Sequence, residues 1–127
     1  MKQSKSTRII NRRVANFINK ELNSVLNCIN EDISYLICGS AAKLINNFNK
    51  CTTPINVIDI KIADDDIDTF IASVPKSFNI INPNITTSVF LIQYYDWLYI
   101  RFNSITTSEL FNTEFENFNG NLFIECK

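Results

Sequence analysis

The sequence contains no histidine, and this absence excludes several kinds of catalytic and metal site. A Ser-His-Asp triad, a Cys-His pair and a His-containing zinc site all require an imidazole. The 127-residue chain also has only two glycines, Gly39 and Gly120, and three prolines. So few glycines argue against a glycine-rich phosphate loop, a collagen-like repeat and a small barrel with many tight turns.

The chain also lacks an excess of charge of either sign. Twelve basic residues face thirteen acidic ones, so the net charge of -1 indicates no class of partner. No apolar run reaches the length of a membrane span, and the basic first 20 residues have no apolar core of a secretory signal. We therefore expect no membrane association and an intracellular location, cytoplasmic or nuclear. An excess of Ile and Asn favours an AT-rich genome, such as that of a large DNA virus.

Four cysteines are present, but they are far apart and form no CxxC pair. A structural zinc site would need thiolates from four separate elements. The alternative, which we favour, is that all four are small buried side chains in a reducing compartment. The cysteines are Cys28, Cys38, Cys51 and Cys126.

The length and a hydrophobic content of 46% indicate one globular domain over residues 1–127. Within it, residues 1–32 form a basic amphipathic helical segment and residues 33–127 an α/β core. Apolar residues recur at three- and four-residue steps through 6–30, which predicts one long helix. The helix has no acid before Glu21. Its basic residues predict either a solvated face or a contact with nucleic acid or an acidic protein, and the candidates for that contact are Lys5, Arg8, Arg12 and Arg13.

In the core segment, apolar runs, alternating runs and helical stripes follow one another. We predict an α/β (α+β) fold with a mixed sheet sandwiched with helices, because a hairpin follows the crossover units. The predicted strands are 34–38, 55–62, 78–82, 88–93, 97–102 and 122–126, with a tight turn at 94–96. The first predicted helix of the core is 41–48. The second begins after the capping acids at 64–66 and ends at Pro75. The third is 108–115, with Ser108 as its cap.

One part of this pattern carries several features of a functional site. An apolar strand ends in Gly39-Ser40, a helix follows directly, and Asp59 lies on the polar side of the next strand. Glycine at a strand end lets a triphosphate approach the backbone, and the amides at a helix start favour anions. A carboxylate on the neighbouring strand can hold Mg²⁺ against those phosphates.

The stretch YLICGSAAKLINN followed by INVIDIKI resembles the nucleotidyltransferase superfamily, which includes poly(A) polymerases and minimal nucleotidyltransferases. The resemblance covers roughly residues 34–75. It implies that Gly39 and Ser40 contact nucleotide phosphates and that Asp59 is the first metal-binding and candidate catalytic carboxylate. It also implies Mg²⁺ as the cofactor of an active member.

Two positions depart from the family pattern. Lys61 stands where the second carboxylate belongs, and its ammonium repels Mg²⁺. If Asp59 is aligned instead with the second acid of the family pattern, Val57 stands at the position of the first acid. The later strand that should carry a third acid offers Arg101 instead. We therefore expect a degenerate site that needs no cofactor, with Lys61 able to form an ion pair with Asp59.

Three functions remain open. The leading hypothesis is a nucleotidyltransferase-like domain that has lost catalysis and binds a protein or a nucleic acid. The alternative is an active Mg²⁺-dependent nucleotidyltransferase with an unconventional second ligand from Asp64, Asp65 or Asp66. A third is an interaction subunit with an apolar contact surface from its aromatic residues. We expect most of these aromatic side chains to fill the core instead.

Overall fold

The computed structural model describes residues 4–82 and 89–126. Within these residues, five α-helices and seven strands alternate along the chain. The helices are α1 (Lys5–Lys20), α2 (Leu22–Ile29), α3 (Gly39–Asn46), α4 (Ile67–Ser73) and α5 (Thr107–Phe111). The strands are β1 (Tyr35–Cys38), β2 (Val57–Ala63), β3 (Asn79–Asn82), β4 (Val89–Tyr95), β5 (Leu98–Ile105), β6 (Phe115–Asn119) and β7 (Leu122–Glu125).

The predicted N-terminal helix is two helices, α1 and α2, with a break at Glu21. The backbone of Glu21 leaves helical geometry at φ -121°, so the chain changes direction while the apolar stripe continues. The hydroxyl of Ser4 caps α1 by accepting a hydrogen bond from the Thr7 N–H, 3.1 Å away. Val14 and Phe17 in α1 are buried, as the helical spacing predicts.

The strands form one mixed sheet in the order β3-β4-β5-β2-β1-β7-β6. The pairs β1–β7 and β2–β5 are parallel, and the other four pairs are antiparallel. The expected mixed sheet and the expected hairpin are confirmed, the latter as β4 and β5. The turn of the hairpin is at 96–97 and not at 94–96, because β4 continues to Tyr95. The first residue predicted for that hairpin, 88, lies outside the described residues.

The C-terminal part differs from the prediction of a helix over 108–115. Helix α5 ends at Phe111, and Phe115 begins β6, which pairs with β7. The cap of α5 is Thr106 and not Ser108, because the Thr106 hydroxyl accepts from the N–H of Glu109. Strand β6 was missed because its two phenylalanines, Phe115 and Phe118, do not alternate with polar residues and most of the strand is exposed at the edge of the sheet.

The helices cover one face of the sheet. Alternate residues of β2 and β5, such as Ile60 and Phe102, join one hydrophobic cluster with buried residues of α1 to α4. Asp59 and Arg101 alternate with them and point to the opposite face, which we call the open face. The sheet is thus not sandwiched evenly between helices: among the helices that the structure describes, the short α5 is the one that contributes to the open face, through Leu110.

Among the described helices, none combines the length and the apolar character that crossing a bilayer requires.

A buried amide joins α1 to the chain that enters β2. Asn11 is fully buried, and its Nδ2 donates to the carbonyl oxygen of Thr53 at 3.1 Å. Its Oδ1 accepts from the N–H of Ile55 at 2.8 Å. Both polar ends of the side chain are therefore satisfied, and α1 fixes the position at which β2 begins.

Replacing Asn11 tests this link. Asn11→Ala leaves the buried N–H of Ile55 without its partner, so we expect the free energy of unfolding to fall by about 1–3 kcal/mol. Asn19→Ala, at an exposed position of the same helix, is the matched control and should change stability little. Urea denaturation measures both, and equal stabilities of the two variants would contradict the role of Asn11.

Candidate functional site

Three adjacent strands bring the candidate carboxylate next to its neighbours. Asp59 on β2 pairs in register with Cys38 on the antiparallel strand β1 and with Arg101 on the parallel strand β5. Cys38 is the last residue of β1, so Asp59 lies where β1 ends and α3 begins. All three side chains point to the open face, because residues paired across neighbouring strands share a face.

The carboxylate of Asp59 is held by Arg101 in a two-point ion pair. The Nε of Arg101 donates to Oδ1 at 2.6 Å and its Nη2 donates to Oδ2 at 3.1 Å. This hydrogen bonding to Asp59 raises the pKa of Arg101 above its ordinary value. The Asp59 side chain is only 18% exposed. Both of its oxygens thus have a cationic donor, which leaves little of the carboxylate for a metal ion.

Gly39 packs directly against this carboxylate. Its φ of +63° is a conformation that side chains with a Cβ rarely adopt. A Cβ placed there would lie 3.3 Å from the Oδ2 of Asp59. The structure therefore brings together Gly39 and Asp59, which are 20 positions apart in the sequence. Ser40 follows as an exposed residue in the first turn of α3.

Lys61 does not occupy the position expected for it. It lies on the open face, but its register partner on β1 is Leu36, two residues away from Cys38. In the described part of the chain, the only ion pair is between Asp59 and Arg101. The expectation that Lys61 pairs with Asp59 is therefore wrong. Arg101 takes that place because it stands directly beside Asp59 on β5.

The acids after β2 lie too far along the chain to complete a metal site with Asp59. Asp64 is five residues beyond Asp59, which is roughly 16 Å along an extended strand. The acids form a short 3₁₀ turn, and their side chains make no capping hydrogen bond, contrary to the predicted cap. Over residues 4–82 and 89–126, no group of three His, Cys, Asp or Glu side chains could hold a metal. The residues of this turn are Asp64, Asp65 and Asp66.

The residues around Asp59 therefore do not fit a catalytic Mg²⁺. Metal-assisted nucleotidyl transfer needs carboxylates that clamp cations against phosphates. Here the one carboxylate is engaged by a guanidinium, and Lys61 adds a second positive charge on the same face. The arrangement repels a divalent cation.

The cysteines differ from the expectation that all are buried. Cys38 is buried, and its thiol contacts the carbonyl oxygen of Asp59 at 3.6 Å. Burial raises the pKa of Cys38 to about 11, with Lys61 opposing the shift and Asp59 adding to it. Cys28 and Cys126 are exposed, because Cys28 lies on the outward side of α2 and Cys126 follows the end of β7.

The basic residues of α1 form a second candidate site, which we call the basic face. Lys5, Arg8, Arg12 and Arg13 are all exposed and line one shallow depression on the first half of the helix. Within the region that the structure describes, none of them pairs with a carboxylate. Their charges are thus available to an anionic partner.

Aromatic rings adjoin the basic face. The guanidinium of Arg13 lies over the ring of Trp97 at 5.0 Å from its centroid. Trp97 stacks on Tyr95 at 5.3 Å, and the Tyr95 hydroxyl donates to Glu21 at 2.8 Å. The sequence indicates this contact only through the aromatic residues around the predicted turn, Tyr94, Tyr95 and Trp97. The hairpin thus extends the basic face with a partly exposed aromatic stack.

The close approach of Gly39 to Asp59 predicts unequal effects at the two glycines. Gly39→Ala combines a disfavoured φ with a 3.3 Å contact, so we expect a loss of about 1–3 kcal/mol in the free energy of unfolding. Gly120→Ala is the matched control, because its φ is +58° but the nearest atom to a new Cβ lies 3.8 Å away. Thermal or urea unfolding should show the larger loss for Gly39→Ala, and equal losses would contradict the tight contact.

Comparisons with known proteins found no match to the chain among protein-family models, curated proteins or solved structures. The geometry of the two sites is therefore the basis on which a function is assigned.

Proposed function

We propose that this chain is a nucleotidyltransferase-like module that performs no nucleotidyl transfer and binds nucleic acid through the basic face of α1. The observation that carries the proposal is the two-point ion pair between Asp59 and Arg101. In this ion pair Arg101 engages both oxygens of the carboxylate that the resemblance assigns to metal binding.

The order of the elements supports the likeness to nucleotidyltransferases. A buried strand ends at Cys38, Gly39 starts a helix, and the neighbouring strand brings Asp59 against that glycine. A third acid would be expected on a later strand, and Arg101 stands on β5 in register with Asp59. An arginine at that position converts a possible metal site into an ion pair.

The basic face supports the binding part of the proposal. Phosphate groups along a nucleic acid attract clustered Lys and Arg side chains, mainly through the release of bound counterions. Because Arg8 and Arg12 are exposed and have no carboxylate partner in the described residues, a phosphate need not displace an existing ion pair. The stack of Trp97 on Tyr95 beside Arg13 adds aromatic surface of the kind on which bases stack.

The alternative of an active Mg²⁺-dependent nucleotidyltransferase has weaker support. It requires a second ligand from the turn at Asp64, and this turn lies at the opposite end of β2 from the start of α3. It also requires Arg101 to release Asp59 in favour of a metal.

Calorimetry with Mg·ATP tests the loss of the nucleotide site. We expect no metal-dependent binding to the wild-type chain, because Arg101 and Lys61 oppose a cation near Asp59. Asp59→Ala and the control Asp68→Ala, an exposed acid on α4, should behave like the wild type. Micromolar binding that requires Mg²⁺ and disappears only in Asp59→Ala would overturn the proposal.

Charge reversal tests the basic face. Arg12→Glu combined with Arg13→Glu should weaken binding of a labelled single-stranded RNA by well over tenfold at low salt, because two phosphate contacts become repulsive. Fluorescence anisotropy measures the affinity, which should also fall steeply as salt rises. Trp97 is the only tryptophan, so a change in its emission would place the contact near Arg13.

The control is the pair Lys43→Glu and Lys76→Glu, which makes the same change in net charge at exposed positions outside α1. It should retain most of the affinity. Absence of any binding at low salt, or equal losses in the two double variants, would contradict the proposal and favour an acidic protein as the partner of the basic face.

A further inference from the structure

A pocket of about 230 Å³ lies on the open face of the sheet, away from α1. Its floor is a row of side chains on three neighbouring strands, because Leu36 pairs in register with Phe123 on one side and Lys61 on the other. Leu110 and Phe115 form a wall. We call this cavity the Lys61 pocket, and it holds roughly eight water volumes, which suits a molecule with a single ring.

The lining is mostly apolar, with Ser34 at its exposed rim and two opposite charges. Lys61 and Asp66 both reach the pocket, and both are partly buried. In the part of the chain that the structure describes, neither takes part in an ion pair. A partly buried charge without a partner favours a ligand that brings the opposite charge. The pocket therefore fits a ligand with one anionic group, one cationic group and an apolar body.

We propose that the Lys61 pocket binds a small zwitterion with an apolar body, of which an apolar or aromatic α-amino acid is the representative. The ammonium of Lys61 pairs with the ligand carboxylate, and the carboxylate of Asp66 pairs with the ligand ammonium. The apolar side chain lies against Leu36, Leu110 and Phe123. This inference does not depend on the proposed function, since it uses neither the basic face nor Asp59.

The size and charge of the pocket disfavour other ligand classes. Asp66 repels the phosphates of a nucleoside triphosphate, most of which would lie outside a cavity of 230 Å³. A plain hydrocarbon would leave both charges desolvated without a partner. A simple carboxylate satisfies only Lys61, and a simple amine satisfies only Asp66. An amino acid satisfies both charges at once.

The proposal is tested by NMR titration of the ¹⁵N-labelled chain with three probes: L-phenylalanine, 3-phenylpropionate and 2-phenylethylamine. The probes share the apolar body and differ only in their charged groups. We expect saturable shifts at the amides of Leu36, Lys61 and Phe123, with L-phenylalanine binding several-fold more tightly than either of the other probes. Absence of saturable shifts with L-phenylalanine up to about 10 mM would overturn the proposal.

Two substitutions test which charged residue of the pocket binds which charged group of the probes. Lys61→Gln should weaken L-phenylalanine and 3-phenylpropionate about tenfold and leave 2-phenylethylamine unchanged. Asp66→Asn should weaken L-phenylalanine and 2-phenylethylamine and leave 3-phenylpropionate unchanged or tighter. Lys43→Gln, an exposed lysine on α3, is the matched control and should have no effect. Affinities that are insensitive to both charges would contradict the assignment.

An uncharged substitution serves as a further test if either charge variant fails to fold. Ala63 is partly buried and lines the same pocket. Ala63→Leu narrows the cavity without changing its charge, so binding of all three probes should weaken together. Undiminished affinity in Ala63→Leu would show that the probes bind elsewhere and would overturn the proposal.

Discussion

The central strand β2 sends its isoleucines and its polar residues to opposite faces of the sheet, and the rest of the structure is arranged around this alternation. Ile58, Ile60 and Ile62 are fully buried against the helical layer. Asp59 and Lys61 are left on the open face, where both are partly exposed. A shift of one residue in the pairing of β2 would exchange the two sets, so burial of the isoleucines fixes the position of the charges.

The ion pair of Asp59 with Arg101 matters more for chemistry than for stability. The Arg101 side chain is 46% exposed, and an ion pair at such a site contributes on the order of 1 kcal/mol or less. Its two parallel hydrogen bonds nevertheless engage both carboxylate oxygens with a fixed cation. The same geometry that adds little to the free energy of folding therefore removes the ligand that a metal would need.

The parts of the site that could be predicted from the sequence are those that local pattern determines. Periodicity and the scarcity of glycine predict the alternation in β2, the strand that ends just before Gly39 and the polar orientation of Asp59. The ion-pair partner of Asp59 does not follow from the local pattern, because it depends on which strands are neighbours in the sheet. Lys61 is two residues away on the same strand, about 7 Å along it, whereas a residue on the adjacent strand is only about 5 Å away. Arg101 is that residue.

Other features were missed for related reasons. Strand β6 lacks a two-residue alternation and is largely exposed, so its extended conformation depends on pairing with β7 and not on its own pattern. The contact of Arg13 with Trp97 joins positions 84 residues apart, and no local pattern relates them. By contrast, the amphipathic stripe of α1 and α2 was predicted well from Val14 onward, because burial of one helix face follows from spacing; Ile10, at the predicted start of the stripe, is exposed.

The basic face and the Asp59 site lie on opposite sides of the molecule. Helix α1 packs Val14 and Phe17 toward the sheet and turns its basic face outward. Asp59 lies on the other face of that sheet, beyond the helical layer. Stacked layers of secondary structure pack about 10 Å apart, so a nucleic acid held flat against the basic face is more than one layer away from Asp59. Binding on α1 would thus not deliver an acceptor group to Asp59.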